Sequence, residues 1–186
     1  MKTALLLIDI QNDYFEDGRY PLVSADYACE KAKSLLDFFR KGEYPLVFVK
    51  HITKREKPNL FEEGTKGVEI HENVKPRENE KVFIKHFPNS FRETDLHNHL
   101  QSLGIEQLVI CGMMTHLCID ASVRAAKDLG YKVLLIADAC ATRDLDLYEN
   151  TIEASYIQLS FMAALGSYYA KILTVEDFNN NVLQYF

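Results

Sequence analysis

The order of its segments predicts an α/β protein: a three-layer α/β/α sandwich around a six-stranded, mostly parallel sheet. Short apolar runs alternate with longer segments of helical spacing along all 186 residues. Runs such as Leu5-Leu6-Leu7-Ile8 and Leu108-Val109-Ile110 are continuously apolar, as strands buried on both faces are. No internal repeat, linker or low-complexity stretch breaks the pattern, so residues 1–186 are expected to form one domain.

The elements follow in order. Ala4–Ile8 is the first expected strand. Ala25–Phe39 carries apolar residues at helical spacing, with Ser24 as candidate N-cap. Pro45–Val49 is the second strand. Arg55–Arg77 holds two prolines and two glycines and no long periodic segment, so it reads as an excursion over the surface. Irregular stretches of this length usually serve function. Lys81–Ile84 is the third strand, and Leu96, Leu100 and Leu103 mark a helix closed by Gly104. Gln107–Cys111 is the fourth strand, followed by a helix over Thr115–Leu129 that Gly130 ends. Tyr131–Ala137 is the fifth strand. Leu147–Leu165 reads as a helix closed by Gly166, Ala170–Val175 as the sixth strand, and Glu176 opens a short tail helix.

Composition narrows the function. The formal net charge is −6 and the lysines and arginines are scattered, so nucleic acid is not an expected partner. The short Lys54–Arg55–Lys57 cluster reads as a solvated loop. The N-terminal apolar run is too short to span a membrane and no small-residue cleavage site follows it. A cytoplasmic protein acting on a small molecule is therefore expected. The four cysteines form no C-x-x-C pair and no zinc-like spacing, which points to free thiols.

Open parallel sheets bind ligands outside the carboxyl ends of their strands. That rule returns Asp9 after the first strand, Lys50-His51 after the second and Lys85-His86 after the third. The fourth leads through Gly112-Met113-Met114-Thr115 to Cys118, and the fifth ends at Asp138. A thiol in the first turn of a helix feels the positive end of the helix dipole, which lowers its pKa and favours the thiolate. The neighbouring backbone amides can hold an oxyanion. Cys118 is thus the candidate nucleophile, while Cys29 and Cys111 read as packing residues and Cys140 leans the same way. Asp9, at the end of a buried strand, suits proton transfer. Lys85 can hold Asp9 ionised or favour the thiolate; the alternative is a stem that reaches water. Tyr14, Phe15, Phe87 and Phe91 are candidates for an apolar wall, and ordinary core packing explains each equally well. His116 reads as capping or wall-forming rather than as the base, because it stands two positions from Cys118.

The segments LLLIDIQNDYF, VFIKHFPNSF and LVICGMMTHLCIDASVRAAKDLGYKVLLIADACATRD together resemble the isochorismatase-like cysteine hydrolases, over nearly the whole chain and in order. Gly112, Thr115, Cys118, Arg124, Asp128, Gly130 and Asp138 carry the most specific part. The resemblance implies a triad of Asp9, Lys85 and Cys118, a cis peptide between Met113 and Met114, and an oxyanion hole from the Met114 and Cys118 amides. It implies assembly into dimers or tetramers. Asn12, Phe15, His51, Phe87, Phe91 and His116 are the expected substrate-binding residues. The family's nicotinamidases carry an Asp-x-His metal cluster after the second strand; here Val49-Lys50-His51 lacks the aspartate. No metal and no cofactor are therefore expected.

The expected chemistry is hydrolysis of a non-peptide C–N bond in a small amide through a thioester. True isochorismatases protonate a vinyl ether and need no thiol, so Cys118 favours an amide over isochorismate. A flavodoxin-like binding module is the rival from another class. Against it, Gln11-Asn12-Asp13 stands where a glycine-rich phosphate loop would be. A thiol sensor pairing Cys118 with Cys140 and a catalytically idle family member are the remaining readings.

Overall fold

The computed structural model describes residues 1–186. One sheet holds β1 (Thr3–Ile8), β2 (Leu46–His51), β3 (Lys81–Lys85), β4 (Gln107–Met113), β5 (Lys132–Ala141) and β8 (Lys171–Leu173). Their spatial order is β3-β2-β1-β4-β5-β8, and every neighbouring pair is parallel. A separate antiparallel hairpin pairs β6 (Leu145–Leu147) with β7 (Asn150–Ile152). The helices are α1 (Ala25–Lys41), α2 (Leu96–Ser102), α3 (Asp120–Asp128), α4 (Ala154–Gly166) and α5 (Val175–Asn180).

Strand side chains alternate between faces, and β1 shows how the core divides. Leu5 and Leu7 join one buried cluster with Ala28, Ala32, Leu35 and Phe39 of α1 and Phe178 of α5. Ala4, Leu6 and Ile8 join the other, with Leu96 and Leu100 of α2, Val123 of α3 and Leu165 of α4. All six residues of β1 are buried, which is why the run is apolar at every position. Burying one such aliphatic side chain contributes about 1.5–3 kcal/mol. The three-layer sandwich is thus the observed architecture, with the sheet wholly parallel.

Four local expectations need correction. The segment from Leu147 is not helical: residues 145–152 form the hairpin, and α4 starts only at Ala154. The Asp144 carboxylate accepts a hydrogen bond from the Ala154 N–H (2.8 Å), which fixes the helix start there. Ser24 does not cap α1 through its side chain: it adopts a left-handed conformation (φ 59°) and makes no cap bond. The chain is already pinned just before it, by Val23 N–H donating to the Thr142 carbonyl. Residues Thr115–Ile119 wind as a single π turn ahead of α3 rather than as its first α turn. Finally, β5 outruns its expected end at Ala137, because pairing to β4 lapses after Ile110↔Leu135 and resumes at Gly112↔Cys140.

Sheet order reverses between β1 and β4, since the connections from β1 lead outward on one side and those from β4 on the other. The carboxyl ends of these two strands therefore border the crevice where such sheets bind ligands. Gly112 of β4 makes their close approach possible. Its φ is +134°, and a Cβ there would overlap the Ile8 carbonyl oxygen.

Candidate active site

β1 ends at Ile8, and Asp9 follows with a left-handed backbone (φ 52°), its side chain fully buried. β3 ends at Lys85, also fully buried, in register with His51 at the end of β2. β4 ends at Met113, joined to Met114 by a cis peptide, and the π turn beyond presents Cys118. Three strand ends and one turn thus converge.

The Lys85 ammonium is the hub. Nζ lies 2.6 Å from Asp9 Oδ2, 2.9 Å from His51 Nδ1 and 3.2 Å from Cys118 Sγ. An ammonium has three N–H donors and no acceptor; it hydrogen-bonds His51 and Cys118 and forms an ion pair with Asp9. His51 must accept at Nδ1 and carries its proton on Nε2. Its backbone is clamped by Gln11, whose side chain donates to the His51 carbonyl (2.9 Å) and accepts from the His51 N–H (2.8 Å). Gln11 is itself fully buried and also donates to the Val68 carbonyl (2.7 Å).

Charge follows burial. Burial lifts the Asp9 carboxyl above the usual range, and the Lys85 cation beside it opposes the rise. Neither Asp9 oxygen receives a hydrogen bond of ordinary geometry; the ion pair with Lys85 is its compensation. Burial disfavours the Lys85 ammonium, but Asp9 and Cys118 outweigh that and hold it above the ordinary lysine value. Burial and the neighbouring Asp9 push the Cys118 thiol up, with Lys85 pulling the other way. This corrects the expectation of a depressed thiol pKa: the resting sulfur is protonated. The His51 imidazole is lowered to about 3 by burial and by the adjacent Lys85 and His86, so it is neutral throughout the physiological range.

Part of this cluster faces a cavity of about 560 Å³. Tyr14, Tyr20, Leu60, Phe61, Phe87 and Leu117 supply its apolar wall, and Lys54, Arg55 and Glu93 stand around it. Cys118, Met114 and His51 line it directly. The Met114 N–H donates to no acceptor in the protein. The loop bearing Phe87 is tied to α3, where Ser122 Oγ accepts from the Ser90 N–H (3.0 Å).

Of the six residues expected to bind substrate, His51 and Phe87 line this cavity. The other four are seated elsewhere. Asn12 turns its amide to the Lys66 carbonyl (2.9 Å). Phe15 stacks on His71 (ring centroids 3.9 Å apart). Phe91 packs against the second core cluster beside Tyr131. His116 bonds Thr142 through Nδ1 (2.6 Å), beyond the end of β5. Tyr20, Leu60, Phe61 and Leu117 were not singled out by sequence. Of these, only Leu60 and Phe61 fall in the irregular Arg55–Arg77 stretch that the sequence marked for function.

A metal site was tested on the donors present. One atom each of Asp9, His51 and Cys118 lie within 4.8 Å of one another, a spacing that would suit an ion. The Lys85 ammonium, however, already contacts all three. The trio does not fit a metal with that cation in place.

A doubly wound parallel sheet with a thiol, a carboxylate and an ammonium at its switch point defines a hydrolase-like α/β protein with its site at the strand ends. The model of the isochorismatase domain matches residues 3–165, and the chain belongs to the isochorismatase family of hydrolases. It is 47% identical over 178 residues to an uncharacterized isochorismatase family protein of Bacillus subtilis (strain 168), covering 96% of this chain and 99% of that one. It is 31% identical to a streptothricin hydrolase of Streptomyces noursei, over 76% of this chain and 50% of the relative. The crystal structure of an isochorismatase hydrolase from Oleispira antarctica superposes with a TM-score of 0.91 at 44% identity, covering 95% of each chain. No helix is long and apolar enough to cross a membrane.

Proposed function

We propose that the protein hydrolyses the C–N bond of a small amide-type molecule through a thioester on Cys118. The observation that carries this reading is the single ammonium of Lys85 joining Asp9 and Cys118 beneath one cavity. Asp9 accepts the thiol proton. Its raised pKa brings it closer to the task than an exposed aspartate would be. The sulfur attacks the scissile carbonyl carbon, forming the C–S bond, and the oxygen takes the negative charge. The Met114 and Cys118 amides hold that oxygen. The C–N bond then breaks as Asp9 returns the proton to the leaving amine. Water, losing a proton to Asp9, attacks the thioester and releases a carboxylic acid, and the proton restores the thiol. Lys85 stays charged throughout, holding Asp9 and the sulfur in place.

One observation favours an amide over a vinyl ether. Vinyl ether protonation has no use for the sulfur beside Asp9. The relative from Streptomyces noursei is named for hydrolysis of streptothricin, which supports a small-molecule substrate. No step here passes through a metal, in keeping with an ammonium at the centre of the donor trio.

The test is a panel of small amides, carbamoyl compounds and nicotinamide, scored for ammonia release with and without chelator. We expect release that is insensitive to chelator. Cys118→Ala, folded, should lose about three orders of magnitude or more in turnover. Wild-type turnover in that variant, or strong chelator inhibition of the parent, would refute the mechanism.

A further inference from the structure

The reaction leaves a deeply seated polar residue of the cavity unemployed. Tyr14 ends the short 3₁₀ turn Asn12–Tyr14, is 1% exposed, and lines the cavity with Cys118. Its ring sits edge-on to Phe61, with centroids 4.8 Å apart, so packing fixes where the hydroxyl lies. The Tyr131 and Tyr185 hydroxyls are engaged, by His97 and Lys171. The Tyr14 hydroxyl has no partner in the protein. Its oxygen is not sealed in the interior, where only the Asp9 oxygens lack a partner, so it opens on the cavity.

The surroundings say what would satisfy it. Burial, with the Asp9 carboxylate adding to it, holds the phenol well above its ordinary pKa, so it is neutral and keeps its proton. A phenol gives up lone-pair density to its ring and is a better donor than acceptor. Among the neighbouring acceptors, Asp9 Oδ2 and the His51 ring face Lys85, and Asp9 Oδ1 takes no hydrogen bond from the phenol. Leu60, Phe61, Phe87 and Leu117 give the cavity its apolar surface. An alkyl group seated there would leave the hydroxyl dry and unpaired. An ether, carbonyl or ring nitrogen would complete it.

We propose that the Tyr14 hydroxyl is a substrate-binding group that selects uncharged amides carrying a second hydrogen-bond acceptor close to the scissile carbonyl. The inference rests on the reading of the cavity as an amide site, and it is tested without turnover. In a Cys118→Ala background, dissociation constants for methoxyacetamide and butyramide are measured by saturation-transfer NMR. The two probes have the same shape and differ by an ether oxygen in place of a methylene. Methoxyacetamide should bind about tenfold more tightly, the size expected when a buried donor gains or lacks its partner. Adding Tyr14→Phe, which keeps the ring against Phe61, should bring the two within about twofold of each other, chiefly by weakening methoxyacetamide. Equal binding of the probes in the parent, including no binding of either, overturns the proposal, as does discrimination that survives Tyr14→Phe. The parent comparison stands even if the double variant does not fold. Failure of the hydrolytic reading would show separately, as an undiminished Cys118→Ala.

Discussion

His51 is the residue whose ionisation matters most to the resting protein. It accepts a hydrogen bond from the Lys85 ammonium and is partly buried against Phe61. Protonating it would set two cations 2.9 Å apart. Its folded pKa of about 3 lies below the value of about 6.5 of an unfolded histidine. A depressed folded pKa contributes stability above the unfolded value, and that stability is lost as pH falls toward 3. The parent should therefore weaken steadily between about pH 6.5 and pH 3. His51→Asn keeps an acceptor for Lys85 but does not titrate. Urea unfolding at pH 4 and pH 7 should show it losing roughly 2 kcal/mol less than the parent over that interval. Identical pH slopes would mean that His51 is not held neutral by this contact. Asp9 and Lys85 were legible because each follows an apolar run, where a polar residue stands out, and Cys118 because it stands at the start of the helix after β4. The third partner of Lys85 was not. His51 had been marked only for the pocket wall, and nothing in VFVKH says which atom its ring will meet.

At the scale of elements, the site depends on how closely β1 and β4 approach. Gly112 is the contact point: its positive φ and the overlap of any Cβ with the Ile8 carbonyl exclude a side chain. Gly112→Ala should destabilise the fold by about 2–4 kcal/mol, combining backbone strain with displacement of a strand end. It should also slow turnover, since Asp9 is the residue after Ile8. Thermal unfolding and activity are to be read together; a variant with the parent's midpoint would show that the strands can part without cost. Element type was readable from periodicity for the six strands and for α1. Periodicity failed over residues 147–153. There Leu147, Tyr148 and Ile152 are exposed, so they carry no inward-facing pattern for a helix to follow. The π winding at Thr115–Ile119 was equally hidden. It is held by tertiary bonds, with Thr115 Oγ1 reaching the Ala141 carbonyl (3.2 Å) and Gln158 Oε1 (2.6 Å). Leu60 and Phe61 of the cavity wall were hidden in the Arg55–Arg77 stretch, because irregular chain has no period from which to read a facing direction.

For the molecule as a whole, strand order puts a carboxylate, a thiol and an ammonium on one rim, and the hairpin of β6 and β7 stands apart from the sheet. Tyr148 at its tip is 93% exposed and Leu147 58%. A homo-oligomer such as the resemblance implies requires an apolar face of this kind. Leu147→Ser with Tyr148→Ser should leave unfolding of the dilute protein within about 0.5 kcal/mol of the parent, as both side chains are open to solvent. In sedimentation velocity it should associate less than the parent; unchanged sedimentation would remove the hairpin from any interface. The buried ammonium has one more consequence. Lys85 faces its partners only while β3 is paired to β2 with Lys85 opposite His51. Sliding that edge strand by a single residue would turn the lysine to the opposite side of the sheet and leave Asp9 without a counter-ion. The reactive centre thus doubles as a lock on strand alignment, and a chain that has settled out of step is barred from both stability and chemistry at once.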